Sequence, residues 1–459
     1  MFLTDKNEKE REMSQKLLGM LLIIGVLVSA PGSVWADMSQ HELRLLALEE
    51  KFDALHKDRQ DLLKKLEERS SGAHFKYTNP GFKFTSPDGL FSTKLVWRAQ
   101  LRFTYPNRSD PRSAANFTTR ENSSNFEARR LRMKIGGHGY RKWIKYYFEV
   151  DLQPSRDTDD SSSTSSARVI DYRIDVQPYD QFGFRLGQWK VNYNRERVDS
   201  SGRQTFVERS IVNRIFTIDR QIGALVKGRL FKGTPAYINY YAGIFNGEGR
   251  SVNNNTTDML YMGRIQWNFL GRDLKWRQSD VKRHKKPAGT LAFARASNNG
   301  PCTRWSSSGC GNLSGLTAPA SATPTQFRTN QWMQEFAFKW NGLALQQEYH
   351  EKEVRDKSTG LTHDFTGLYA QIGYFFHELI PAVPEQLEVA FRYAFVDAPD
   401  VVNLNTNDNR DEFTAGLNYF FKGHNNKITL DYSHLTLDDQ SAGQKLDDDR
   451  VRLQWDVSF

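Results

Sequence analysis

The sequence predicts an all-β fold, a transmembrane β-barrel of about sixteen antiparallel strands preceded by an N-terminal helical coiled coil. Three observations carry this expectation. The chain is polar on average, with 38% hydrophobic residues and a mean hydropathy of −0.65, yet 13% of it is Phe, Trp or Tyr. Helical membrane proteins with many apolar spans do not have that composition, whereas a barrel shows lipid only every second residue and marks its rims with aromatics. From Phe91 onward the hydrophobic period is two, and the connections alternate between short and long.

Along the chain, Lys16 precedes an apolar run from Leu17 to Ala30, then Pro31-Gly32-Ser33 and Val34-Trp35-Ala36. The run is too short to span as a helix and has the parts of a secretory signal, so residues 1–36 are expected to be a signal peptide, with Met13 a candidate start. Residues 37–72 follow as a periplasmic coiled-coil segment. Leu45, Leu48, Phe52, Leu55, Leu62 and Leu66 fall on alternating three- and four-residue steps, a narrow heptad seam suited to pairing between chains. A lone amphipathic helix, or a tether to another periplasmic component, is the alternative.

Residues 73–459 are the expected barrel. Leu95, Trp97, Ala99, Leu101, Phe103 and Tyr105 alternate with Lys94, Arg98, Gln100 and Arg102. The same rhythm returns in Leu387, Val389, Phe391, Tyr393 and Phe395 and in Val451, Leu453, Trp455, Val457 and Phe459. Such alternation marks strands with one apolar and one polar face. It places strands near residues 91–105, 126–137, 143–153, 168–177, 181–189, 221–231, 235–245, 258–270, 289–297, 330–341, 343–351, 366–376, 385–396, 411–421, 426–436 and 448–459. A soluble sandwich would alternate alike; the even strand number and the signal favour the outer membrane. Short turns such as those around Tyr140 and Asn341-Gly342 oppose long polar loops at 106–125, 154–167, 190–220, 298–329 and 351–365. The basic segment Gly271–Gly289 is the exception, long but on the short-turn side.

The polar face of such a barrel lines the lumen, and there the first two strands are basic: Lys94, Arg98 and Arg102, then Arg130, Arg132 and Lys134. Guanidinium forks match phosphate and carboxylate geometry. Strict alternation turns Arg129 outward unless the strand bulges. The 190–220 loop carries Arg195, Arg197, Arg203, Arg209, Arg214 and Arg220 with few acids of its own, and adjacent hydroxyls at Ser200 and Ser201. A loop of that length is usually functional, and one folded inward would narrow the lumen. A porin wall whose charges merely balance, and a solvated external loop, are the plainer readings.

Cys302 and Cys310, the chain's two cysteines, flank a Ser/Gly segment and are expected to form a disulfide. No zinc-type spacing accompanies them, and no cofactor is expected. The formal net charge of +9 points to small anions rather than nucleic acid. Asp157–Asp160 and Asp447–Asp449 lack the spacing of a calcium loop and read as solvated acidic loops. An outer-membrane lipid hydrolase would need a grouped serine, histidine and acid, and the histidines of the strand region (His138, His350, His377, His424, His434) have no evident serine partner, so the chain is not expected to be an enzyme.

"FEARRLRMKIGGHGYRKWIKYYFEVDL", "VIDYRIDVQ", "FRLGQWKV" and "SSGRQTFVERSIVNRIF" resemble the phosphate-selective porins of the O and P type. The resemblance implies a homotrimer of sixteen-stranded barrels in the bacterial outer membrane, passing phosphate or polyphosphate past an inward-folded third loop. Carried over by position, it implies constriction arginines at Arg98, Arg129 and Arg130, paired serines at Ser200 and Ser201, and a wall aspartate at Asp171. Where the family has a lysine before the serines this chain has Arg197, which keeps the charge and changes its shape. The resemblance thus turns both Arg129 and Arg130 inward. Related members pass organic anions such as dicarboxylates, which is the alternative cargo. The terminal Phe459 resembles the end signal by which the outer-membrane assembly machinery recognises barrels. Phe459→Asp is expected to reduce folded barrel in the outer membrane while leaving export intact, checked by quantifying heat-modifiable protein in membrane and periplasmic fractions.

Overall fold

The computed structural model describes residues 35–70, 72, 74–106, 124–153, 167–306, 309–313, 315–398, 408–439 and 443–459. The expected signal, the loop 107–123 and Asp157–Asp160 lie outside these residues, except that Trp35 and Ala36 open a helix. The chain divides into two compact units, Met1–Gly72 and Ala73–Phe459.

The first unit carries one helix, α1, Trp35–Ser70. Leu45, Leu48, Phe52, Leu55 and Leu62 are between 59% and 68% exposed. The apolar seam therefore has no partner among the described residues. What this chain forms alone is a helix and not a coiled coil.

The second unit is a closed antiparallel barrel. Its strands are β1 (Ser92–Tyr105), β2 (Asn125–Gly139), β3 (Arg141–Asp151), β4 (Arg168–Val176), β5 (Gly183–Lys190), β6 (Arg220–Leu230), β7 (Ile238–Phe245) and β8 (Leu260–Trp267). They continue with β9 (Ala288–Gly300), β10 (Phe327–Trp340), β11 (Leu343–Asp356), β12 (Thr362–Tyr374), β13 (Leu387–Asp397), β14 (Asp408–His424), β15 (Asn426–Asp439) and β16 (Gln444–Ser458). Each pairs with the next in sequence, and β16 returns to β1 with Val451 opposite Tyr105 and Ser458 opposite Arg98. Closure pairs every strand edge, which a bilayer without water demands of its spanning backbone.

The period-two reading is visible in the burial of each strand. Along β8, Leu260, Met262, Arg264 and Gln266 are buried while Tyr261, Gly263, Ile265 and Trp267 are exposed. Arg264 can be buried only because the interior is polar and supplies partners; Tyr261 and Trp267 face the side where lipid replaces water. Trp97, Tyr105, Phe293, Trp340, Phe421 and Trp455 are likewise exposed, as aromatic girdles require. No helix among the described residues is long and apolar enough to cross a membrane.

Turn chemistry follows the sequence closely where turns are short. Asn341 and Gly342 both have positive φ, 44° and 84°. Two such residues give the type I′ geometry whose twist suits a two-residue hairpin, so β10 passes directly into β11.

Two expected loops are strands instead. The stretch 351–365 is not a long loop, because β11 runs to Asp356 and β12 begins at Thr362. Polar outward residues hid the strands' extension above the apolar belt. Asp447–Asp449 likewise lie within β16 rather than in a loop, accepting hydrogen bonds from Thr436 and Tyr432. Two hairpins were not anticipated, since strands of three or four residues are shorter than any window in which a period shows. One, Arg304–Ser306 with Gly309–Gly311, is stapled by the Cys302–Cys310 disulfide. The other, His74–Tyr77 with Phe82–Thr85, pairs onto β1 from Ser92 to Leu95. It continues the seam just past Phe459, whose N–H donates to the Trp97 carbonyl at 2.9 Å.

Candidate functional site

The segment joining β5 to β6, residues 191–219, is buried along nearly its whole length. It holds two short helices, α2 (Arg195–Val198) and α3 (Val212–Phe216). Its sequence explains the inward fold: Val191, Tyr193, Phe206, Val212, Ile215, Phe216 and Ile218 are all at most 5% exposed. A solvated loop would gain nothing from such residues. The wall is shaped to receive them. A Cβ at the inward Gly367 of β12 would lie 2.5 Å from the Phe216 ring, so only glycine lets that ring seat.

Backbone groups of a buried loop need partners, and strand side chains provide them. Glu348 accepts from the Glu196 N–H at 2.7 Å, Asp431 from the Val207 N–H at 2.9 Å, and Lys352 donates to the Ile215 carbonyl at 2.9 Å. The strongest anchor is Glu335 on β10, which receives Arg195 at 2.7 Å and Arg264 at 2.9 Å with all three side chains fully buried. These anchors lie on β8, β10, β11 and β15. On the arc from β1 to β6 the loop is met chiefly by arginines, among them Arg98, Arg129 and Arg220.

On that arc β2 bulges. Gln100 faces Arg130 and Leu101 faces Ala128, so Arg129 is the extra residue. The bulge cancels the parity that would have sent Arg129 outward, and both arginines reach the interior. Arg130 donates to Gln100 Oε1 at 2.9 Å, and Gln100 in turn donates to the Ser201 carbonyl at 3.1 Å. Arg98 donates to the Ser201 hydroxyl at 3.1 Å and to the Ser200 hydroxyl at 3.5 Å, and pairs with Asp456 at 3.3 Å. A Cβ at Gly202 would lie 2.5 Å from Arg98 Nε, so the loop lies directly on that guanidinium. Arg98, Arg130, Ser200 and Ser201 are thus brought together. Both serine hydroxyls accept there, leaving their protons to donate elsewhere.

A second group adjoins it. Arg197 forks onto Asp219, with Nε to Oδ1 at 2.8 Å. Arg220 lies within 3.6 Å of Asp219 and donates to Asp171 at 3.0 Å. Asp171 therefore works by holding Arg220. Arg209 donates to the Glu196 and Asp199 carbonyls at 2.8 Å each. Arg132 is held by Glu149 and Asp151 at 3.0 and 3.1 Å. The side chains of Lys134 and Arg203 have no hydrogen bond or ion pair among the described residues; both residues are half-buried. Of the loop's arginines, Arg195 and Arg220 are compensated from the wall, by Glu335 and Asp171, and Arg197 by the loop's own Asp219.

Residue-by-residue reading missed two contributors. The first is Glu208, which binds Arg102 at 2.9 Å and Arg129 at 2.8 Å and stands 3.8 Å from Arg130. Burial would raise its carboxyl, but Arg129, Arg102 and Arg130 together hold it well below the usual carboxylate range. The second is the basic segment 271–287, noted only as a long connection. It folds inward from the opposite end and meets the third loop: Arg277 pairs with Asp199 at 2.8 Å, and Gln278 accepts from the Thr205 N–H. Trp276 lies beneath the Arg264 and Arg195 guanidiniums at 4.7 and 5.2 Å. Its Trp-Arg-Gln run within a nominal turn was the available signal.

Among the described residues the one grouping with metal-ligand reach is Glu248, Cys302 and Cys310. Its two cysteines are joined to each other, so their sulfurs are no thiolate ligands.

Comparison with known proteins matches residues 106–459 to the family described as phosphate-selective porin O and P. An uncharacterized protein of Aquifex aeolicus is 25% identical over 358 residues, 70% of this chain and 78% of that protein. The outer membrane channel DcaP of Acinetobacter baumannii superposes with a TM-score of 0.52 at 13% identity, over 82% of this chain and 99% of that one. In-vitro folded OmpT, an outer membrane protein of Vibrio cholerae, gives 0.50 at 10% identity, over 81% and 98%. Those two likenesses concern the fold.

Proposed function

Because the chain belongs to the phosphate-selective porin O and P family, we propose that it is an anion-selective outer-membrane channel whose constriction prefers phosphate or polyphosphate. Solutes diffuse passively between the third loop and the arc β1–β6. The observation that carries this reading is the bulged Arg129–Arg130 pair beside Arg98, Ser200 and Ser201. Guanidinium forks supply charge and parallel donors, and the serine hydroxyls supply neutral donors. Together they replace the hydration shell that a phosphate loses on entering a narrow pore. Lys134, Arg203 and Arg209 line the approach and raise the local anion concentration, while Arg132 and Arg197 are held in ion pairs beside them.

The alternative cargo is a small organic dianion such as a dicarboxylate, since an arginine fork accepts a carboxylate as readily as a phosphate. Purified protein in planar bilayers decides between them. Anion over cation permeability, with chloride current blocked at lower concentration by phosphate than by succinate, is the expected result; cation selectivity would overturn the reading.

The exposed seam of α1 supports association through that helix, and three chains suit a trimeric porin. Secretion by an N-terminal signal and insertion through the assembly machinery belong to the same reading. The mass of the detergent-solubilised particle checks the oligomer: a monomer in a preparation retaining residues 38–70 would overturn the trimer.

A further inference from the structure

We infer that Glu208 is a built-in competitor for the anion site, a tethered carboxylate occupying the pocket that a permeating dianion must take. The inference rests on the anion-channel reading and adds which side chain sets its selectivity. Glu208 Oε1 receives Arg129 Nε at 2.9 Å and lies 2.9 Å from Arg102 Nη1, while Oε2 lies 3.8 Å from Arg130 Nη2. A carboxylate held by three arginines stands where a phosphate or carboxylate ligand would be held.

Two features make this carboxylate displaceable, unlike the fully buried Glu335 and Asp219. Glu208, Glu127 and Arg129 are the accessible members of the cluster, 26%, 22% and 19% exposed at the side chain, against 5% for Arg102 and 8% for Arg130. An ion can reach them. The backbone around Glu208 is pinned, with the Val207 N–H on Asp431 at 2.9 Å and the Glu208 carbonyl on Arg392 at 3.0 Å. Vacating the pocket therefore needs only a rotamer change of one side chain, with no movement of the loop.

Charge then selects the ligand. The other acid near the cluster is Glu127, 3.5 Å from Arg102 and 3.8 Å from Arg129. With Glu208 swung out, three guanidiniums face one carboxylate, an excess of two positive charges. A doubly charged oxyanion, hydrogen phosphate or a dicarboxylate, neutralises that excess. Chloride restores half of it and so competes poorly with the tethered carboxylate.

The test is Glu208→Gln in planar bilayers at pH 8, with chloride current titrated by inorganic phosphate and, separately, by succinate. Removing the competitor is expected to tighten block by both dianions at least tenfold and to raise chloride conductance. Glu208→Asp, which keeps the charge on a shorter tether, is expected to fall between, guarding against a loop displaced by the amide. A wild-type channel that is anion-selective but shows unchanged or weaker block in both variants overturns this inference alone. A cation-selective wild type overturns the channel reading with it.

Discussion

Replacing Arg129 and Arg130 together with alanine is expected to weaken phosphate block by about 100-fold or more. Hydrogen bonds to charged groups contribute about 1.5–3 kcal/mol each, and every 1.4 kcal/mol is a factor of ten. Two such contacts therefore exceed 100-fold if each is made in full. The double variant also leaves Glu208 opposite Arg102 alone, so the constriction turns locally acidic and the anion-to-cation permeability ratio falls. The barrel is expected to survive, because Arg129 is an unpaired bulge residue and Arg130 bonds to Gln100 through its side chain. Arg229→Ala is the control, since that arginine is 44% exposed at the side chain and its partner Asp273 is 3.9 Å away. Block reduced less than threefold in the double variant would remove the arginine pair from the site.

Glu335→Gln is expected to release the first leg of the third loop. Arg195 and Arg264 share this carboxylate with no solvent exposure at any of the three side chains. Breaking a buried pair by removing one partner costs about 3–5 kcal/mol, because a charge is left in low dielectric without compensation. Here two guanidiniums lose their counter-ion, and the glutamine retains one oxygen for the Arg195 N–H that Glu335 now receives at 3.1 Å. The sixteen strands do not depend on the loop for pairing, so the stress falls on the loop's seating. The expected readout is a larger, noisier single-channel chloride conductance, phosphate block weakened about tenfold, and new proteolytic cleavage between Val191 and Asp219. An unchanged conductance would show that the apolar seating, Phe216 against Gly367 and its neighbours, holds the loop without the ion triad.

Much of this site stood in the sequence as residue types without partners. Arg98, Arg102, Ser200 and Ser201 were legible from parity and from the loop's composition, and Asp456 from its inward place in the last strand. Glu208 was not, because nothing in the loop's own sequence tells that this acid meets Arg102, Arg129 and Arg130 on the wall. Asp219 and Asp171 were legible as acids, but their shared work on Arg220 depends on a loop end meeting a strand two places along the wall. The basic segment 271–287 could be placed on the short-turn side, and its inward path could not.

The sequence alone determined the barrel and its polarity. A period of two fixes which residues share a face, and that information is local, carried by neighbours in the chain. It extends to the seam, where Val451–Phe459 presents an apolar and a charged face up to the closing strand. The tertiary structure decided what depends on residues far apart in sequence: the bulge that turns Arg129 inward, the acids that neutralise the third loop, and the carboxylate that occupies its arginine pocket. Register shifts and cross-lumen contacts arise only when sixteen strands close. Charge pairing in a confined lumen is set by distances across the ring, which no pattern along the chain encodes.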